Sequence, residues 1–364
     1  MATTSIPLVT FNNGQKCPML GLGTWNVSNF QIRQNIVFSS SFPLQRFHSH
    51  FSMRFRTSYN PIFTVEMYIM FQSLEREVYE AVCHAIDLGY RHFDCAYYYQ
   101  NEGQIGEAIQ DKISQGVITR EDIFITTKLW ITFYSSPDLI RKCLQESLDL
   151  LQMDYVNLYL MHWPHAFRSG GDLVPFKADG KFDFDDSVDY VDVWKTMECL
   201  VDEGLARSIG VSNFNTKQLE TLLGVARIKP VTNQIEVHPY LTQKKMAAFC
   251  RDNDLVITAY SPLSNPTNPF RAKVPFVLED QTVKDIASRY DKTPAQVLIR
   301  YQIQLGNITV PKSVTKSRLE ENRDIFDFEL SQEDMDTLDG LDANGRTCCV
   351  PGSEAAKHFP FGEE

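Results

Sequence analysis

An α/β barrel of eight strand-then-helix units, (β/α)8, is the fold this chain predicts, on three observations. Short apolar runs of strand length alternate with amphipathic helical patterns from "PMLGLGTW" at residue 18 to "KSRLEENRD" ending at residue 324. The alternation repeats eight times, and eight parallel strands flanked by helices close naturally on themselves. The competing open, doubly wound sheet lacks its dinucleotide fingerprint, because Gly21-Leu-Gly23-Thr-Trp-Asn has no third glycine.

Taken in order, Asn13-Gly14 signals an N-terminal β-hairpin ahead of the barrel. The first strand ends near Trp25, and its helix is "SLEREVYEAVCHAIDLG" with Ser73 as the expected N-cap. "YRHFDCA" precedes "NEGQIGEAIQDKISQG", "IFITTKLW" precedes "PDLIRKCLQESLDLL", and "VNLYLMHW" precedes "YVDVWKTMECLVDEG". "ARSIGVSN" then leads to "TKQLETLLGVA", and "VTNQIEVHP" to "TQKKMAAFCRDN". "VITAYSPL" leads to "LEDQTVKDIASRY" and to a helix opened by Thr293-Pro294, a cap followed by proline at the first helical position. The eighth strand, "ITVPKS", meets "KSRLEENRD". The expectation is one TIM-type barrel domain spanning 1–364, interrupted after strand one by an irregular block at 27–72.

With 364 residues and 43% hydrophobic content the chain can bury one large core. A formal charge of −11 and a pI near 5.3 argue against nucleic acid or anionic membranes as partners. No apolar run reaches the ~20 residues a membrane span needs. Eight cysteines without a C-x-x-C pair, behind the polar start "MATTSIPLVTFNNGQ", point to reduced thiols and a cytoplasmic protein. H-E-x-x-H, G-x-S-x-G and phosphate-loop lysine motifs are absent, and no metal site is expected.

Chemistry in such a barrel sits at the C-terminal ends of the strands. There the sequence places Trp25, Asp94 with Tyr99 just beyond it, Lys128, His162-Trp163, Ser212-Asn213, Gln234, Tyr260 and Lys312. Singly, each has a bland reading: a surface lysine, a satisfied core histidine, a helix-capping aspartate. Gathered at one rim, with the strand interiors apolar, they read as a proton-transfer site. Proton transfer needs a donor whose pKa its neighbours bring towards the working pH. A phenol of ordinary pKa ~10 is a reluctant donor, and a neighbouring ammonium is expected to lower that value.

The stretches "GYRHFDCAYYYQNE", "LYLMHWP" with "IGVSNFN", and "VPKSVTKSRLEEN" resemble the signature regions of the aldo-keto reductase family, its aldose-reductase-like branch in particular. The likeness covers nearly the whole chain outside 27–72. It implies an NADPH-dependent reductase of aldehydes and ketones whose catalytic tetrad falls on Asp94, Tyr99, Lys128 and His162. Tyr99 has the family spacing from the aspartate, which leaves Tyr97 and Tyr98 to packing or pocket wall. The resemblance assigns Thr24, Trp25, Ser212, Asn213, Gln234, Tyr260, Ser261 and Leu263 to the cofactor, with Tyr260 stacking beneath the nicotinamide. It assigns Lys312, Ser313, Val314, Thr315 and Arg318 to the 2′-phosphate end, and Glu321 and Asn322 to the adenine. Trp25, Tyr98, Trp130, His162, Trp163 and Phe270 would line the pocket for a small carbonyl substrate, although such aromatics serve equally as core. Family members are expected to be monomers. Some barrels of this family instead serve as structural or regulatory proteins that bind nucleotide with little turnover; the complete tetrad favours the enzyme.

Three features depart from the family. Asn26 and the neighbourhood of Thr267 lack the charged residues that clasp the cofactor, so faster nucleotide release is expected. The C-terminal segment from Thr347 differs, so substrate choice does not transfer. The 46-residue block 27–72 holds eight Phe and two Tyr but no Gly, Ala, Lys, Asp or Cys, with neither helical nor strand period, and reads as disordered. Val27-Ser28 and Phe71-Gln72 can be encoded by the consensus ends of an intron. The block therefore reads as intron-derived sequence, the alternative being a lid or partner-binding loop at the rim.

Overall fold

The computed structural model describes residues 5–25, 76–265, 274–348 and 350–362. Block 27–72, the cap at Ser73, and Asn26, Thr267 and Phe270 lie outside the described residues.

The hairpin pairs β1 (Leu8–Thr10) with β2 (Lys16–Pro18) antiparallel, Val9 opposite Cys17. Gly14 sits in the turn at φ 84°, where a side chain would be strained. Phe11 packs edge-on against Phe124 at 6.2 Å, and Asn13 Nδ2 donates to Ser208 Oγ at 2.7 Å. Phe11, Cys17 and Phe124 form an apolar plug with Leu158, Leu160, Val231, Ile308 and Val310, so the hairpin stoppers one mouth of the barrel.

Eight parallel strands follow: β3 (Leu22–Gly23), β4 (His92–Asp94), β5 (Phe124–Leu129), β6 (Val156–Met161), β7 (Ala206–Ser212), β8 (Thr232–Glu236), β9 (Val256–Tyr260) and β10 (Ile308–Thr309). Consecutive strands are neighbours throughout, and the ring closes where the Gly21 N–H donates to the Thr309 carbonyl at 2.9 Å and Thr309 N–H to Met19 at 2.7 Å. Closure pairs the two edge strands of the eight-stranded sheet with each other. A Cβ on Gly23 would stand 2.6 Å from the Val310 carbonyl oxygen, so the seam closes only with glycine there.

Sequence accounts for the helices locally. Pro137–Leu151 opens with Ser136 accepting the Leu139 N–H at 3.3 Å and proline in its first turn, and it buries Ile140, Cys143, Leu144, Ser147, Leu148 and Leu151 on one stripe. Each fully buried aliphatic side chain contributes roughly 1.5–3 kcal/mol. Pro294–Gln304 carries the expected Thr293 cap, reciprocated by Gln296. Helix Gln332–Asp339 escapes the reading of the sequence, although Ser331 accepting the Asp334 N–H is a legible start signal. Its Met335 and Leu338 pack with Val283, Ile286, Leu298 and Tyr301. None of the helices among the described residues is long and apolar enough to cross a membrane.

One expectation needs correcting: the strand interiors are not uniformly apolar. His92 Nε2 meets Thr126 Oγ1 at 3.0 Å, and the Thr232 and Thr258 hydroxyls meet at 2.9 Å, all inside the barrel. A narrow barrel interior admits such groups where they satisfy one another across neighbouring strands.

Helix Glu102–Ser114 approaches the next helix so closely at Gly106 that a Cβ would lie 2.5 Å from the Leu150 carbonyl oxygen. Gly106→Ala should cost about 1–3 kcal/mol of stability by overpacking against backbone, despite alanine's better helix propensity. Urea unfolding of the two proteins measures the difference.

Candidate active site

Strand β4 ends at Asp94, and the chain then turns through a 3₁₀ segment, Tyr97–Tyr99. That turn sends its three tyrosines to different tasks. Tyr97 donates to Glu146 at 2.7 Å and packs on Phe133, which makes it a strut against helix Pro137–Leu151. Tyr98 stacks on Trp130 at 3.9 Å. Tyr99 turns inward, its oxygen 3.3 Å from Lys128 Nζ.

Lys128 is wholly buried near the end of β5. Its ammonium donates to Asp94 Oδ2 at 2.8 Å, to the Cys95 carbonyl at 2.8 Å and to the Tyr99 hydroxyl at 3.3 Å. All three N–H groups are thereby used. Burial pulls the amine's pKa down, but the Asp94 carboxylate and Tyr99 more than offset this and hold it above its ordinary value. Because the Tyr99 oxygen accepts from lysine, its own proton is left to point elsewhere.

The phenol does not titrate as expected. Burial pushes Tyr99 up to about 12, against the pull of the Lys128 ammonium and with Asp94 adding to the rise. The lysine acts in the expected direction, but desolvation wins. The group is therefore a neutral phenol at neutral pH.

His162 follows β6 and sets its ring 5.9 Å from that of Tyr99, nearly perpendicular, and 5.3 Å from Trp130. Burial first, and the Lys128 charge second, hold its pKa well below the ordinary value, so the imidazole is neutral. Its Nδ1 is buried without a hydrogen-bond partner. Trp25 lies 6.5 Å from Tyr99, and Trp163 packs on His165 and Phe361. Trp130 is buried, its Nε1 donating to the Leu173 carbonyl at 2.7 Å, so it is core on one side and wall on the other.

The polar residues of the remaining strands form a net around this centre. Gln234 Nε2 donates to Asp94 Oδ1 at 2.7 Å, which occupies the second carboxylate oxygen. Ser212 donates to the Gln234 carbonyl at 2.8 Å. Asn213, held at φ 63°, donates to the His162 carbonyl at 3.0 Å and accepts from the Tyr260 hydroxyl at 2.8 Å. Thr24 donates to the Asp94 carbonyl at 2.9 Å, and Asn101 in turn donates to the Thr24 carbonyl at 2.8 Å. Ser261 takes a left-handed φ of 46°, with Leu263 two residues on.

The candidate phosphate end lies beyond β10. A depression is lined there by Gly23, Thr24, Lys312, Ser313 and Val314. Ser313 Oγ accepts the Thr315 N–H at 3.1 Å at the start of helix Lys316–Arg323. Burial holds the Lys312 amine below its ordinary pKa; Glu77 opposes the shift and Arg318 adds to it. Two cations beside a helix N-terminus make a site that an anion relieves. Glu321 accepts from the Thr293 hydroxyl at 2.6 Å, and Asn322 is buried.

The structure thus brings Asp94, Tyr99, Lys128 and His162 together, with Trp25, Tyr98, Trp130, Trp163, Ser212, Asn213, Gln234 and Tyr260 around them. Two residues bordering this centre, one of them outside its hydrogen-bond net, were missed in the sequence. Asn101 carries no local signal. Glu236 does, being a charged residue two positions from Gln234 and so on the same face of strand Thr232–Glu236.

Comparison with known proteins agrees with this fold. A sequence profile described as the Aldo/keto reductase family matches residues 72–343. Aldo-keto reductase family 1 member A1-A of Danio rerio is 39% identical over 364 residues, 97% of this chain and 98% of its own length. Estradiol 17 beta-dehydrogenase 5 of Mus musculus is 45% identical over 291 residues, 78% and 89% respectively. The solved aldose reductase of Schistosoma japonicum superposes with a TM-score of 0.80 at 39% identity, covering 98% of this chain and 99% of that one.

Removing the carboxylate from the buried pair leaves an uncompensated ammonium. Asp94→Ala should lower the unfolding free energy by about 3–5 kcal/mol, whereas a surface pair would lose at most about 1. Chemical denaturation distinguishes the two.

Proposed function

The chain belongs to the Aldo/keto reductase family, oxidoreductases of carbonyl compounds, and from that premise we propose that it reduces aldehydes and ketones to alcohols with NADPH, Tyr99 donating the proton. The observation that carries this reading is the three-way sharing of the Lys128 ammonium among Asp94, Cys95 and Tyr99.

NADPH, when bound, supplies the hydride. The chain's own groups do the rest. Ser212, Asn213 and Gln234 would hold the carboxamide of NADPH, with Tyr260 as the platform beneath the flat ring. The cationic end at Lys312 and Arg318 fits a doubly charged phosphate. Neutral His162 orients a carbonyl oxygen by donating a hydrogen bond from its imidazole, which burial first and the Lys128 charge second keep from protonating. The Tyr99 proton, free of the lysine contact, faces that same oxygen. A phenol raised to about 12 gives up nothing to water at neutral pH. It does protonate a developing alkoxide, which is far more basic than a phenolate.

We read the substrate as a small-molecule carbonyl compound with an apolar or sugar-like body, bounded by Trp25, Tyr98, Trp130, Trp163 and Phe270. The cytoplasm and the monomeric state are part of the same proposal. So is a single barrel domain over 1–364 with the block 27–72 as an interruption. That the family match begins at residue 72, where the block ends, supports this, and comparing the transcript with genomic DNA across these codons tests its intron origin. The second reading, a nucleotide-binding barrel with little turnover, rests on the position of that block just after Trp25. Assaying NADPH oxidation with an aromatic aldehyde, on forms with and without 27–72, separates the two.

Tyr99→Phe should leave NADPH binding intact and lower kcat by about 10²–10⁴-fold; full turnover in that variant would refute the assignment. Arg318→Ala should raise the dissociation constant for NADPH about tenfold or more, the loss of a charge-assisted contact, and change that for NADH little. Fluorescence titration with both nucleotides reads the ratio.

A further inference from the structure

Alternate residues of a strand face the same way, so Gln234 and Glu236 both look into the barrel mouth. Gln234 reaches the Asp94 carboxylate. Glu236, with no exposed surface, reaches the C-terminal segment instead. Its Oε1 accepts the Thr347 N–H at 2.7 Å, the Thr347 hydroxyl, and His238 Nε2 at 3.0 Å. Its Oε2 accepts the Cys348 N–H at 3.1 Å, and the Arg346 guanidinium stands 3.9 Å away. A buried carboxylate is costly unless donors surround it, and here the donors are His238 from its own strand end and Thr347 and Cys348 from the C-terminal segment.

That segment touches both sides of the rim. Thr347 Oγ1 accepts the Asn265 N–H at 2.9 Å, and Cys348 Sγ lies 3.4 Å from the hydroxyl of Ser261, next to Tyr260. On the other side the Arg346 guanidinium lies 3.6 Å over the Phe361 ring, and Phe361 packs at 5.7 Å on Trp163, the residue after His162. One carboxylate on β8 therefore stands beside an arginine that covers a phenylalanine packed on Trp163.

We propose that Glu236 is a positioning residue for substrate choice: it clamps residues 346–348 across the mouth and, through Arg346 and Phe361, sets the wall at Trp163. The proposal rests on the reading of this rim as a carbonyl-substrate site. A purely structural carboxylate would, when altered, lower the activity towards every substrate alike. A clamp acts on bulky substrates that meet the wall and spares small ones that do not.

The test is Glu236→Gln in the full chain. It keeps the shape but turns an acceptor oxygen into an amide that opposes the donors of the segment. With NADPH and a small aliphatic aldehyde, kcat should stay within about twofold, while KM for a bulky aromatic ketone rises by about fivefold or more. Amide hydrogen exchange at Thr347 and Cys348 should speed up on the order of tenfold, with the strand Thr232–Glu236 still protected. Unchanged exchange at 347 and 348, or equal losses on both substrates, overturns the clamp. Should the glutamine variant not fold, Thr347→Val removes one donor at nearly constant volume and carries the same pattern at about threefold. If the wild-type protein turns over neither substrate, the reading of the site falls, and the exchange data still decide whether Glu236 holds the segment.

Discussion

The buried ion pair between Lys128 and Asp94 is the constraint on which the rest of the site depends. An ammonium with no exposed surface is tolerated only where its charge is neutralised and each of its protons is bound. Asp94 supplies the charge, and the Cys95 carbonyl and Tyr99 oxygen complete the set. The geometry leaves the phenol as an acceptor towards lysine and hence as a donor towards the mouth. The buried pair and the orientation of the phenol are two sides of one arrangement.

That arrangement is held because its members sit on different strands of a closed ring. Asp94 is fixed at Oδ1 by Gln234 from across the barrel and at its carbonyl by Thr24 from the adjacent strand. His162 is held through its carbonyl by Asn213, which Tyr260 orients in turn. No member moves without a partner on another strand. Glu236 extends the same pattern outward, tying the C-terminal segment to β8.

Much of this was legible in the sequence, for physical reasons that can be named. Strand and helix periods differ, so the eight units could be counted, and Thr293-Pro294 and Asn13-Gly14 mark backbone geometries that few other residues favour. The helix at Gln332–Asp339 went unread because it lies beyond the eight units, although its serine cap was visible. Tyr99 was separable from Tyr97 and Tyr98 only through family spacing. Nothing in three adjacent tyrosines says which one turns inward.

Sequence alone determined the barrel, the strand ends and which polar residues would meet at one rim, because alternation and turn chemistry are local properties of the chain. Tertiary structure decided the rest. Burial overrides the lysine and raises the Tyr99 phenol; Gln234 is engaged by a carboxylate 140 positions away; Glu236 closes on a segment 111 residues further along. Desolvation and long-range hydrogen bonds depend on which surfaces meet once the ring has closed, and no stretch of sequence contains that information.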